Sequence, residues 1–147
     1  MRQPAGPMVG DEVPVPAVIQ RFITLYQAGK VDEAVALLWD PLERIFREQS
    51  QNSTASDKAQ MEEVKEKLPL LRAMMKWKLS AAVRNFGPPQ IDVLRSFRAD
   101  KNTDRVHLRI RHRDYTFFIK LTTTETPIGV IVNGISFGDD QADIFGD

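Results

Sequence analysis

The chain of 147 residues contains no cysteine. A disulfide scaffold, a cysteine-bound zinc, an iron–sulfur centre and a thiol nucleophile are therefore excluded. The sequence also lacks an excess of charge of either sign, since twenty Lys and Arg side chains balance twenty Asp and Glu side chains. Because the net charge is zero, the composition does not indicate general electrostatic attraction to nucleic acid or to an anionic membrane.

Long hydrophobic runs are also missing from the sequence. No segment approaches the roughly 20 apolar residues of a membrane span, and the first residues carry no apolar run of about 7–15 residues like that of a signal peptide. We therefore expect a cytoplasmic protein with no membrane span. What the sequence does contain, 42% hydrophobic and 27% charged residues, is typical of one globular domain.

Both ends of the chain differ in composition from the middle. Residues 1–16 hold four of the nine prolines and two of the eight glycines. Such a segment cannot bury enough apolar surface to offset the entropy lost on ordering. We predict a disordered Pro-rich tail over residues 1–13. Residues 123–147 contain five acids and no base, and we predict an acidic, frayed C-terminus over residues 139–147. A single domain then spans residues 14–138.

Two helices are predicted at the start of this domain, because apolar residues recur there at steps of three and four. The first ends at Gly29, a residue favoured just after a helix C-terminus. The second opens at Lys30 and is predicted to stop at Pro41, with an apolar face continuing beyond it. Two helices joined by a one-glycine corner should pack against each other.

A third, longer helix is predicted after a polar loop. Ser56 or Asp57 is suited to cap its N-terminus, and Pro69 predicts a kink or two abutting helices. Its predicted core positions are Met61, Val64, Leu68, Leu71, Met75 and Leu79.

After Gly87 the apolar period changes from about 3.6 to 2, which is typical of strands. We predict four strands, with turns at 100–104, 113–114 and 126–129 suited to antiparallel hairpins. Helices followed by such strands define the α+β class, in which the N-terminal helices pack on a curved antiparallel sheet.

Three local patterns resemble the nuclear transport factor 2-like superfamily, an α+β cone. They are residues 26–30 (YQAGK) followed by 32–38, residues 86–88 (FGP) entering the first strand, and the apolar strand at 128–137. The resemblance covers about residues 14–138. It implies a sheet wrapped around the first and third helices, often with a cavity at the wide end and dimerisation through the sheet. The superfamily holds isomerases, dehydratases and binding subunits, so it implies no single function.

Catalysis by such an isomerase would need a carboxylate base and a hydroxyl or acid donor facing each other in an apolar cavity. Tyr26, Asp40, Asp92 and Tyr115 have this chemistry. A core role for Tyr26 and a turn-ending or capping role for Asp40 are the simpler interpretations. We therefore predict no catalytic residue.

Two histidines are the only candidates for a metal site on the strands. His107 and His112 are five residues apart on one predicted strand, an odd separation that sends them to opposite faces. They cannot share one metal ion, and no third ligand accompanies them. We expect no metal and no cofactor.

Basic residues form one face of the second predicted strand. His107, Arg109, Arg111 and Arg113 alternate with apolar residues, and residues 89–122 carry eight bases against four acids. This face is interpreted as a solvated sheet surface, a contact with the acidic 123–147 segment in a partner or second copy, or a polyanion site. A nucleic-acid partner is the least favoured, because Phe118 is the only interleaved surface aromatic.

Aromatic residues supply the candidates for a ligand cavity, which are Tyr26, Trp39, Trp77 and Tyr115. Trp77 lies off the stripe of the third helix and is predicted to face a cavity mouth, a partner groove or the core. Together these features predict a noncatalytic domain that binds a small apolar ligand or a protein partner through its cavity or sheet face, as a homodimer. The alternative is a small isomerase or lyase that uses the same cavity.

Overall fold

The computed structural model describes residues 8–51 and 55–146 and confirms the α+β class. Helices come first and a four-stranded antiparallel sheet follows, with strands in the order β1-β2-β3-β4. In chain order the elements are α1 (Ala17–Gln27), α2 (Val31–Gln51), α3 (Ala55–Phe86), β1 (Gln90–Asp100), β2 (Thr103–His112), β3 (Tyr115–Thr126), β4 (Gly129–Gly138) and α4 (Gln141–Phe145). No described helix is long and apolar enough to cross a membrane.

The predicted glycine corner joins α1 to α2. Ile19, Phe22 and Tyr26 form the buried stripe of α1 at steps of three and four. Gly29 has φ 77°, a left-handed conformation that ends the helix at little cost for a residue without Cβ. The helices on either side pack against each other, as expected.

The prediction that Pro41 stops the second helix is wrong, because α2 continues through it to Gln51. Proline removes one backbone donor from the helix. Burial of Leu38 and Trp39 before the proline and of Leu42 after it continues one apolar face across the gap. Packing of that face against α1 and α3 outweighs the lost hydrogen bond.

Likewise, α3 continues through Pro69 as one helix, and Pro69 is exposed. The expected core position Leu71 is wrong, since its side chain is 43% exposed, whereas Leu68, Met75 and Leu79 are buried. The side chains of Met61 and Val64 lie outside the described residues.

Arg72 takes the place predicted for Leu71 on the side of α3 that faces α2. Its Nη1 donates to Asp40 Oδ1 at 2.6 Å and to Glu43 Oε2 at 3.1 Å. Asp40 therefore lies inside α2 in an ion pair and does not end a turn, which corrects that expectation. The inward-facing side of α3 therefore runs through Leu68, Arg72, Met75 and Leu79, which leaves Leu71 on the solvent side.

The strands supply 8 of the 20 buried residues of the described core, most of them on the inner face of the sheet. Val106, Leu108 and Ile110 of β2 lie opposite Leu121, Ile119 and Phe117 of β3, and all six are fully buried. This face packs with the buried stripes of the helices in one continuous cluster. The other face of the sheet, the outer face, carries His107, Arg109 and Phe118.

Both predicted tails contain ordered structure. Residues 1–7 lie outside the described residues, but residues 10–13, predicted to be disordered, pair with β1: Val13 N donates to Ser96 O at 3.0 Å and Gly10 N to Arg98 O at 2.7 Å. The end predicted to fray forms α4, capped by Asp140. Free backbone carbonyl and N–H groups at the edge of β1 and a buried Phe145 provide the ordering that composition alone did not indicate.

Candidate functional site

The four predicted cavity residues do not converge. Tyr26 is fully buried, Trp39 is buried between α2 and α3 with its Nε1 donating to Met75 Sδ at 3.3 Å, and Trp77 is 72% exposed. Tyr115 is half-buried, and its ring centroid lies 6.4 Å from that of His112, which also contacts Tyr26. Two surface grooves of 410 and 330 Å³ in the described chain are lined by none of the four.

A buried tyrosine–histidine pair joins α1 to β2. The Tyr26 hydroxyl lies 2.7 Å from His112 Nε2, and His112 Nδ1 lies 2.7 Å from the carbonyl oxygen of Gly87. Because a carbonyl oxygen only accepts, Nδ1 carries the proton and donates, which leaves Nε2 to accept from the tyrosine. Burial lowers the pKa of His112, so the ring is neutral near pH 7.

A second polar cluster joins α3, β3 and the end of β4. Lys78 Nζ donates to the Tyr115 hydroxyl at 2.7 Å and to Asp139 Oδ1 at 3.2 Å, and the same hydroxyl donates to Asp139 Oδ1 at 2.5 Å. Lys78 Nζ also lies 4.8 Å from the ring centroid of Phe117. Residues 61 positions apart are thus held together at one end of the sheet.

The charge states of this second cluster favour the hydrogen bonds that join α3, β3 and the end of β4. Burial lowers the pKa of Lys78, but its hydrogen bonds to Tyr115 and Asp139 outweigh that effect and raise it. Burial, and then the bond to Asp139, raises the pKa of Tyr115, while hydrogen bonds from Tyr115 and Lys78 lower that of Asp139. At neutral pH the lysine is charged, the tyrosine protonated and the aspartate ionised, which favours the hydrogen bonds among them.

Two arginines on the basic face of β2 share one carboxylate within the chain. Asp92 of β1 accepts from Arg111 Nε at 2.6 Å and from Arg109 Nε at 3.1 Å. The hydrogen bond from Arg111, followed by that from Arg109, lowers the pKa of Asp92. Asp92 therefore belongs to an ion-pair network on the outer face, and Arg113 lies exposed beyond the end of the strand.

The last helix covers the other part of that outer face. The Phe145 ring stacks on His107 with centroids 4.0 Å apart and planes 3° apart, and it meets Phe118 edge-on at 5.7 Å. Phe97 meets the same imidazole at 5.3 Å. His107 and Phe118, predicted as parts of an interaction surface, therefore contact the chain's own C-terminal segment.

A group of exposed apolar side chains lies on α3. Its residues are Leu70 (62% exposed), Leu71, Met74 (50%) and Trp77, and we call them the α3 apolar face. They span about two helical turns, or ~10 Å. Large apolar side chains clustered on the surface are typical of a protein contact.

Sequence reasoning singled out Tyr26, Trp77, Tyr115 and His107 but missed Lys78 and Asp139, which no local motif marks. In the described part of the chain, no group of three or more His, Asp or Glu residues is arranged to hold a metal ion. No protein-family model, curated protein or solved structure matches this chain.

Proposed function

We propose that this chain is a noncatalytic protein-binding domain that associates with a second copy of itself through the α3 apolar face. The observation that carries the proposal is the exposure of Leu70, Leu71, Met74 and Trp77 on one side of a single helix. A tryptophan that is 72% exposed beside three other large apolar residues gains free energy when a partner removes it from water.

The shape of this surface favours a protein over a small molecule. Small ligands bind in concave sites that enclose most of their surface. The α3 apolar face is the convex side of a helix, which a second helix can cover along its length. Of the four residues predicted to line a ligand cavity, Tyr26 and Trp39 are buried in the core while Trp77 is exposed, and none of the four lines either of the two grooves described above.

The spacing of the face suits helix pairing. Leu70, Met74, Trp77 and Ala81 follow one another at steps of four, three and four. This is the alternation that places successive side chains along the seam between two helices. Leu71 flanks the seam and adds apolar area at its edge.

Charge along α3 favours an antiparallel pair of identical helices. From Leu71 to Phe86 the helix carries four bases and no acid, whereas residues 55–69 carry four acids and three bases. Parallel pairing would place the two basic halves side by side, while antiparallel pairing places residues 78–86, with two bases and no acid, beside residues 62–70 of the second copy, with three acids and two bases. A two-fold axis near Met74 satisfies this arrangement.

The order of elements supports membership of the nuclear transport factor 2-like superfamily as part of this proposal. Two helices joined at Gly29, a long third helix and a following antiparallel sheet have the order that the sequence resemblance implies. The proposed contact differs from the sheet-mediated dimer expected for that superfamily, because ion pairs and α4 occupy much of the outer face.

Sedimentation equilibrium on the wild type and on Trp77→Glu tests the proposal. We expect a concentration-dependent dimer for the wild type and a monomer for the variant, with unchanged circular dichroism. Ile128→Glu is the matched control, because Ile128 is an exposed apolar residue in the β3–β4 turn, remote in sequence from α3, and its replacement should leave the dimer intact. A wild type that stays monomeric at millimolar concentration would overturn the proposal.

Tryptophan fluorescence provides an independent measurement. Trp39 is buried in the core and contributes a constant emission, whereas Trp77 is exposed. Dimerisation should shift the emission of Trp77 to shorter wavelength as the concentration rises. An emission maximum independent of concentration, in a sample that sedimentation shows to dimerise, would place the contact elsewhere.

A further inference from the structure

We propose that the outer face of the sheet around His107 is a docking site for a short acidic peptide with an aromatic residue, and that α4 is its resident, displaceable occupant. This inference rests on the contacts of α4 and is independent of the α3 apolar face. The partner chemistry follows from the segment bound there, residues 139–146, with the sequence DDQADIFG.

Three aromatic side chains form the recess. Phe97 of β1, His107 of β2 and Phe118 of β3 lie on three adjacent strands; Phe97 contacts His107, and the Phe145 ring contacts His107 and Phe118. Its ring lies parallel to the imidazole at a centroid distance of 4.0 Å. An aromatic side chain in a recess of this kind is the usual anchor of a peptide–protein contact.

The rim of the recess is basic. Arg95 and Lys120 lie opposite His107 on the two neighbouring strands, and Arg105 lies opposite Phe97. Arg95 also lies over the Phe97 ring at 3.8 Å. The α4 segment contributes Asp140 and Asp143, both exposed, and no base. Opposite charges on rim and segment define the partner as an acidic peptide.

The site around His107 is formed by strands, so it does not depend on α4 for its shape. With five residues, α4 is far shorter than the roughly 12 residues that an isolated helix needs, and its docking is held by Phe145 and by Ile144 against Gly138. Asp139 stays fixed by Lys78 and Tyr115. The segment after Asp139 can therefore leave the sheet while β4 stays in place.

A binding assay on the full chain tests this inference. The probe is a fluorescein-labelled peptide DDQADIFG, and the chains are the wild type and Phe145→Ala, which empties the aromatic recess. We expect the variant to bind the peptide at least tenfold more tightly than the wild type, whose site is occupied. Binding should weaken as salt rises, because the rim charges are exposed. The control peptide DDQADIAG should bind neither chain.

Asp140→Ala gives a second variant that keeps Phe145. The Asp140 carboxylate accepts from Ala142 N at 2.9 Å as the cap of α4. Loss of such a cap should destabilise docked α4 and raise peptide affinity about fivefold over the wild type. A monotonic order of wild type, Asp140→Ala and Phe145→Ala would support displacement of α4.

Equal peptide binding by the wild type and Phe145→Ala, or no binding by either, would overturn the inference. A single-stranded RNA oligonucleotide serves as the competing probe. If Phe145→Ala retained the RNA in a salt-sensitive manner and ignored the peptide, the exposed face would be a polyanion site and the acidic-peptide proposal would be wrong.

Discussion

His107 and His112 lie five residues apart on β2, are each 6% exposed, and are buried in opposite ways. His112 faces the helices and uses both ring nitrogens in hydrogen bonds, to Tyr26 and to Gly87. His107 faces outwards and is covered by aromatic rings, with Phe145 stacked on one side and Phe97 edge-on.

The two histidines show that the strand determines the face on which a side chain lies, whereas other elements determine how that face is covered. Alternation along β2 assigns each side chain to a face, and the predicted opposition of the two histidines is found in the register with β3. The inner face is closed by three helices that bury large apolar areas. The outer face is closed locally, by a helix of five residues.

The largest expected contrast between the two faces comes from neighbouring phenylalanines. Phe117 is fully buried on the inner face, and Phe117→Ala should cost about 3–5 kcal/mol of unfolding free energy. Phe118 is half-buried under α4, and Phe118→Ala should cost about 1–2 kcal/mol. Urea unfolding measures both. Equal losses would mean that α4 closes its face as firmly as the helices close theirs.

Removal of the Tyr26 hydroxyl tests the hydrogen bonds of the inner histidine. In Tyr26→Phe, His112 Nε2 keeps no donor in a buried site, and unfolding free energy should fall by about 1–3 kcal/mol. Tyr115→Phe is the matched control and should cost less than about 1 kcal/mol, because Lys78 and Asp139 still pair with each other near solvent. A larger loss for Tyr115→Phe would reverse the assigned roles.

The inner histidine should also make stability depend on pH. Burial holds the pKa of His112 below its ordinary value of 6.5, so the unfolded chain binds a proton there before the folded chain does. Stability is then fully present above pH 6.5 and is lost as pH falls through 6.5 towards the lower pKa of the folded state. Urea midpoints at pH 7.5 and 5.0 measure this loss, which should shrink in His112→Asn.

Two carboxyl groups also have pKa values that differ from their ordinary value. The pKa values of Asp92 and Asp139 are held below 3.8, outside the window, so their contributions change at lower pH. An unchanged pH slope in His112→Asn would show that the pKa of His112 is not lowered on folding.

The smallest change in unfolding free energy is expected for an exposed residue of the α3 apolar face. Leu71 is 43% exposed on α3, and Leu71→Ala should change unfolding free energy by less than about 0.5 kcal/mol at micromolar concentration. Leu79→Ala, on the buried face of the same helix, should cost about 2–5 kcal/mol. A loss above 2 kcal/mol for Leu71→Ala would restore the core position predicted from the sequence.

The sequence by itself determined the α+β class, the glycine corner and the faces of the strands. These features depend on local periods and on single residues: the apolar positions of α1, the conformational freedom of Gly29, and the alternation from Val106 to Ile110. Such signals act within a few residues of one another, so they can be read along the chain.

Tertiary structure decided the rest, because the competing free energies arise between distant segments. Pro41 and Leu71 were misplaced since packing of α2 against α3, with Arg72 paired to Asp40, outweighs local preference. Lys78 and Asp139 meet although no motif links them. Residues 10–13 and α4 become ordered by free backbone groups at the edge of β1 and by aromatic side chains on the sheet, and neither exists until the strands have assembled.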